Sequence, residues 1–201
     1  MKVFVFNGIA RSGKTSIENK IAEIISKENS NKEAIICSII DYVKDIATYA
    51  GWEGSKNIAD RKFLSQLKDI LTEWNDSPFK EITGLIEDCE RLNDKENPKD
   101  YIFFIDMRES KDIERMRMYC FEKKIPFKAV IVRRHDVEGI EYGNHADDEV
   151  FNYPYDVVIE NNGTIGDLAD SARTFYEEYI IWRGQLIHLE LLIFPRLREL
   201  I

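Results

Sequence analysis

The sequence predicts an α/β fold: a five-stranded parallel sheet covered on both faces by helices. Three observations carry this. Five short apolar runs, rich in β-branched and aromatic residues, alternate with amphipathic stretches. Those runs lack the apolar–polar alternation of a sheet with one wet face, so both faces are buried. The first run leads straight into "NGIARSGKTS", where Gly8 and Gly13-Lys14-Thr15 complete the G-x-x-x-x-G-K-[ST] spacing of a phosphate-binding loop.

The elements follow in order. "KVFVF" (2–6) is the first strand, and "TSIENKIAEIISKEN" places Ile17, Ile21, Ile24 and Ile25 at helical spacing behind the loop. Between them, amide groups of the loop and of the first helical turn converge on one point, which the helix dipole also makes attractive to an anion. Lys14 is placed to reach terminal phosphates, and the Thr15 hydroxyl to ligate Mg²⁺. Gly8, Arg11, Ser12, Gly13, Lys14, Thr15 and Ser16 are therefore the expected ATP-binding set, and the sheet is expected to be that of a P-loop NTPase. Within that set Arg11 adds charge or is only a solvated side chain.

"AIICSI" (34–39) is the second strand, and a helix starts near Asp41. Phe63, Leu64, Leu67, Ile70, Leu71 and Trp74 then recur at helical spacing, and "PFKEITGLIEDCERLN" continues in that style to about residue 93. The polar run "NDKENPKD" breaks the pattern. "YIFFID" (101–106) is the most apolar strand, "KDIERMRMYCFEKK" a helix, "FKAVIVRR" (127–134) the fourth strand, 135–154 a charged loop and "YDVVIEN" (155–161) the fifth strand. "GTIGDLADSARTFYEEYIIW" closes as a helix. The helical stretch at about 41–95 is too long for a simple crossover and is expected to be an inserted subdomain. Residues 1–184 then form one domain, followed by an apolar tail at 185–201.

A chain of 201 residues with 44% hydrophobic content suits one soluble domain with a sizeable core. A net charge of −9 argues against nucleic-acid and anionic-membrane binding. Cys37, Cys89 and Cys120 are odd in number and far apart, which fits reduced thiols and a cytoplasmic location. His135, His145 and His188 lack metal-ligand spacing, and neither a signal peptide nor a membrane span is read.

The pattern resembles the P-loop nucleoside monophosphate kinases, most of all the phage-type deoxynucleoside monophosphate kinases, with dephospho-coenzyme A kinase a near relative. Besides the loop, the resemblance rests on "FFIDMRES" and "YDVVIENNGTIGDL", and it covers roughly residues 1–180. It implies that Asp106 supports Mg²⁺, that Arg108 helps hold an acceptor phosphate, and that Asn161, Gly163 and Thr164 lie near the adenine. The lid of such kinases carries several arginines. Here the loop 135–154 has none, and Arg133 and Arg134 stand at its entrance, one expected to offset transition-state charge and the other to serve the surface.

Arg61, in the inserted region, is either an acceptor-phosphate ligand or a solvated helix charge; Lys62 and Lys68 read as solvated. Asp41 reads as a helix N-cap or a sugar-hydroxyl contact, since a monophosphate acceptor is already anionic and needs no general base. Trp52, Tyr42 and Trp74 at helical spacing read as core before base-stacking platforms, and the acidic run 144–149 as solvated. The expected activity is ATP- and Mg²⁺-dependent phosphoryl transfer to a nucleoside or deoxynucleoside monophosphate. The alternative is a dephospho-coenzyme A kinase-like hydroxyl kinase, in which Asp41 is essential. A non-catalytic nucleotide-binding switch is third, disfavoured by the missing N-K-x-D motif. The tail carries Leu186, Ile187, Leu189, Leu191, Leu192, Ile193, Leu197 and Leu200, broken by Pro195, and is expected to fold back or to make a homodimer contact, the latter favoured.

Overall fold

The computed structural model describes residues 1–55, 57–138 and 150–181. The chain runs β1 (Lys2–Asn7), α1 (Lys14–Glu28), β2 (Lys32–Ser38), α2 (Asp41–Tyr49), α3 (Ile58–Asn75), α4 (Ser77–Arg91), β3 (Asp100–Asp106), α5 (Ser110–Lys123), β4 (Phe127–Arg133), β5 (Val157–Glu160) and α6 (Ile165–Phe175). Short 3₁₀ turns lie at His135–Val137 and Val150–Asn152, and a π-helical turn at Tyr176–Ile181 prolongs α6. The tail 185–201, residues 139–149 of the charged loop, His145 and His188 lie outside the described residues.

The five strands are all parallel, in the order β2-β3-β1-β4-β5. Period-two geometry sorts the continuous apolar runs between two layers. Phe4 and Phe6 of β1 face α1 and α6, where they meet Ile17, Ile21, Phe104, Phe175 and Tyr176. Val3 and Val5 face the other side, with Phe103, Ile105, Ile82, Ile86, Ile113 and Met116. Four phenylalanines seal the first layer: Phe4 and Phe175 meet edge-on at 5.1 Å between ring centroids, Phe6 and Phe104 at 5.5 Å. Each such side chain contributes roughly 1.5–3 kcal/mol relative to exposure, so β1 is held from both faces. That central position places the loop after β1 at the middle of the sheet's C-terminal edge.

The long connection from β2 to β3 has two parts. α4 lays Ile82 and Ile86 against the sheet and so acts as a layer helix. α3 stands further out, with Phe63, Ile70 and Trp74 exposed; Trp74 is 77% exposed, so it is not a core residue. Besides packing on α2 and α4, α3 is tied down by charge. Lys68, read from the sequence as solvated, is only 7% exposed, with Asp112 Oδ2 at 2.6 Å and Glu109 also bound. The correction has a physical cause: the long lysine stem reaches from α3 to α5 and meets a buried acid at its far end. Arg115 completes the clamp, pairing with Asp76 at the α3–α4 corner and stacking over Phe79 at 4.0 Å.

The last helix is expected to run regularly to about residue 182, but its winding widens into the π turn. Lys2 takes up the carbonyls there, donating to Tyr179 O at 2.7 Å and Ile180 O at 3.0 Å. A lysine at the first strand thus ties that turn to the sheet.

Candidate nucleotide-binding site

The loop between β1 and α1 is shaped by its glycines. A Cβ on Gly8 would lie 2.6 Å from the Val132 carbonyl oxygen and 2.7 Å from Ser12 Oγ, so only glycine lets the chain turn there. Gly13 has φ 91°, and a Cβ would overlap Asn161 Nδ2. Arg11 takes a left-handed conformation, φ 66°, with its side chain exposed. Ser12 is buried, and its hydroxyl has no hydrogen-bond partner among the described residues.

Lys14 opens α1 and lies 2.5 Å from Asp106 Oδ1, a close ion pair without hydrogen-bond direction. β1 and β3 are neighbours, with Phe6 level with Asp106, so the loop lysine and the strand-end acid are brought together by register. Thr15 and Ser16 follow on exposed positions of the first helical turn. The acid with an oxygen lacking a hydrogen bond and the helix-start hydroxyl fit a hard divalent cation: Thr15 and Asp106 are the residues that would hold Mg²⁺. Among the described residues, no three His, Cys, Asp or Glu side chains gather as a metal cluster.

Two residues that the sequence reading passed over complete this centre. Glu18, one turn beyond Lys14, is fully buried, and neither of its carboxylate oxygens has a hydrogen-bond partner among the described residues. Burial first, then the charge of Asp106, pushes its pKa up to about 9. The signal was available: position 18 falls on the same stripe as Ile17, Ile21 and Ile25, where an acid is out of place. Burial and the nearby Asp41, Asp106 and Glu18 push the Cys37 thiol up to about 12, which makes it an inert thiol.

Asn7 is the second. Fully buried at the end of β1, it accepts from its neighbour's amide, Gly8 N, at 2.8 Å. Its Nδ2 donates to the Arg108 carbonyl at 3.0 Å and to the Tyr155 hydroxyl at 2.7 Å, and Tyr155 donates onward to Val150 O at 2.8 Å. One amide therefore fixes the loop entrance, the turn carrying Arg108, and the far side of the charged loop. Nothing in the strand pattern marks such a role.

The remaining expected site residues fall as follows. Asn161 does not project freely toward a base: its Nδ2 donates to Ser12 O at 2.7 Å, tying the end of β5 to the phosphate loop. Gly163 precedes a capping box in which Thr164 and Asp167 satisfy each other's amides at the start of α6. Arg133 gives both Nε and Nη2 to Glu138, at 3.0 and 2.9 Å, and lies 5.3 Å from the Phe151 ring. Arg134 faces Asp136 at 3.8 Å, with its Nε buried and lacking a hydrogen-bond partner among the described residues. Arg61 lies in the first turn of α3, away from the loop in sequence, and Arg108 follows β3.

Asp41 is not the N-cap expected of it. Ile40 holds that position, and Asp41, the first helical residue, accepts from Ser38 N at 2.7 Å and from Lys44 at 2.8 Å. Its carboxylate turns back to close the strand end instead of serving the helix amides.

A five-stranded parallel sheet with this loop after its central strand defines a P-loop α/β nucleotide-binding fold. No family model matches the chain, and no curated protein matches it. Solved structures of similar shape include the Deinococcus radiodurans tunicamycin resistance protein (8% identity, TM-score 0.48, covering 87% of this chain and 95% of that one). The Mycobacterium tuberculosis APS kinase in complex with AMPPNP and APS is similar at 13% identity and TM-score 0.44, covering 88% and 97%. The Ehrlichia chaffeensis thymidylate kinase is similar at 13% and 0.42, covering 86% and 97%. With TM-scores below 0.5 these likenesses carry no assignment; the fold stands on the strand order and the loop. Among the described residues no helix is long and apolar enough to cross a membrane.

Proposed function

We propose that the protein transfers the γ-phosphoryl group of ATP to a nucleoside or deoxynucleoside monophosphate. The observation that carries the reading is the Lys14–Asp106 pair at 2.5 Å, seated where the phosphate loop meets the end of the neighbouring strand. Little covalent chemistry is asked of a protein in phosphoryl transfer; positioning and charge are its contribution. Loop amides and Lys14 hold the donor phosphates. Mg²⁺, held by Thr15 and Asp106 when bound, neutralises charge on the phosphate oxygens. Arg108 and Arg61 hold the acceptor phosphate, where a planar bidentate donor suits better than a point charge. Arg133 and Arg134 stand at the entrance of the charged loop as the remaining cations, though Arg133 must give up Glu138 to serve.

A hydroxyl acceptor is the second reading, because Asp41 lies at the end of β2, beside β3, with half of its side chain exposed. Against it, both Asp41 oxygens are already taken, by the Ser38 amide and by Lys44, so a substrate hydroxyl has to displace one of them. The test is an acceptor screen with ATP and Mg²⁺ over the common nucleoside monophosphates and a panel of hydroxyl metabolites. The expected product is a nucleoside diphosphate from one or a few monophosphates, and Asp41→Asn retains that activity. Turnover of a hydroxyl metabolite that Asp41→Asn abolishes establishes the second reading instead.

A further inference from the structure

We propose that the outer face of α3 is a docking surface for α3 of a second copy of this chain, the two helices packed antiparallel about a two-fold axis. Phe63, Leu67, Ile70 and Trp74 follow one another at intervals of four, three and four residues, the spacing of a helix–helix seam. The side of α3 that meets its own domain is a different one, carrying Leu64, Lys68 and Leu71, the last two buried. The seam faces outward: Phe63 is 40%, Ile70 62% and Trp74 77% exposed, and Leu67 is half-buried. A helix that packs only on its own domain carries polar side chains there instead.

Two features of the stripe select a second copy as its occupant. The first is shape. Turning the helix end for end sets Phe63 against Trp74 and Leu67 against Ile70, so every layer joins two apolar side chains and the rings meet at both ends. The second is charge. On the solvent flank of the stripe stand Lys62 toward the N-terminal end and Glu73 toward the C-terminal end, both exposed. In the antiparallel pair Lys62 of each copy comes level with Glu73 of the other, giving two attractive pairs by symmetry. A parallel pair opposes like charges at both ends instead. Lys68 points to α5 from another face of α3, so docking leaves that clamp in place.

The stripe is small beside the roughly 800 Å² per partner of a standard interface, so a reversible dimer is expected, with a dissociation constant on the order of micromolar. The full chain is followed by light scattering and sedimentation from about 1 to 300 µM, a range that brackets that expectation. Ile70→Glu is expected to raise the dissociation constant about a hundredfold or more, since the substitution enters a two-fold interface twice. Lys62→Glu and Glu73→Lys are each expected to raise it roughly five- to tenfold, by setting like charges level. The double variant Lys62→Glu/Glu73→Lys restores opposite charges and is expected to return to near the wild-type value, and high salt to narrow these differences. Melting of dilute protein checks that each variant folds, and Ile70→Ser replaces Ile70→Glu if the latter does not. A full chain that stays monomeric throughout the range overturns the proposal. So does a dimer that Ile70→Glu leaves intact, which moves the contact elsewhere, to the tail at 185–201 among other places. A dimer lost with Ile70→Glu but indifferent to the single charge changes, or not recovered by the double variant, overturns the antiparallel pairing and with it the proposal.

Discussion

At the scale of single residues, Gly13 and Asn161 form one device. Gly13 supplies a positive φ and the absence of a side chain, and Asn161 Nδ2 occupies the space thus left while holding Ser12 O at 2.7 Å. Gly13→Ala strains the backbone and collides with the amide; Asn161→Ala removes the collision and the tether. The two substitutions share a contact, so they are not independent. ATP affinity by calorimetry is expected to fall for each, and the double variant to lose less than the two losses combined; full additivity would separate the residues. Lys14→Ala belongs to the same scale. On the proposed function it removes the cation that holds the phosphates and is expected to reduce turnover by at least about a hundredfold, as loss of a transition-state charge contact does. A coupled ATP assay measures it, and near-normal turnover would remove Lys14 from the chemistry.

At the scale of elements, the helical excursion is pinned by Lys68, so its removal is a test of how α3 is held. Lys68→Met leaves Asp112 buried with Arg115 at 3.5 Å as its remaining ion-pair partner. Breaking a buried pair from one side costs about 3–5 kcal/mol, and Arg115 reduces that, so urea denaturation is expected to show roughly 2–3 kcal/mol. The companion Lys68→Met/Asp112→Leu recovers most of it if the loss is an unpaired buried charge. Elements were the most legible level. The apolar runs gave all five strands, but only β1, β3 and β4 are buried on both faces; β5 alternates, with Val158 exposed, and β2 is half-buried, while α1 followed from its isoleucine spacing. What the pattern could not convey was polar and long-range. Lys68 reads as any surface lysine until its acids on α5 are brought to it, and Asn7 gains its role only when Arg108, after β3, and Tyr155, before β5, reach it. Trp74 reads as core by spacing, yet that face of α3 is exposed. Of the site, the loop was legible because its residues are contiguous, and Glu18 was marked by its place on the isoleucine stripe; the Asn161 tether depends on folding.

At the scale of the whole molecule, Asp100 joins the starts of the strands, bound by Lys32 and by the Met1 amine at 2.6 Å. Burial alone would raise its pKa, but hydrogen bonds from Lys32 and the amine outweigh that and hold it below the ordinary value of 3.8. A depressed acid gives stability that is present above the unfolded pKa and is lost as pH falls through the folded one. The stability difference between wild type and Asp100→Asn is therefore expected to be steady near neutral pH and to shrink as pH falls below 3.8 and through the lowered folded pKa, measured by denaturation across the acid range. A difference unchanged at low pH would assign Asp100 a packing role. The Asn161–Ser12 bond has one more consequence, for a chain emerging from the ribosome. It joins residues 149 apart in sequence, across a sheet whose edge strand β5 is the last to be made. Everything needed to write the phosphate loop has been synthesised by residue 16, yet the loop stays unbraced until residue 161 has emerged and docked. On the proposed function, nascent chains released before that point can hold β1 to β4 and still grip nucleotide poorly, which makes nucleotide retention a reporter of β5 docking.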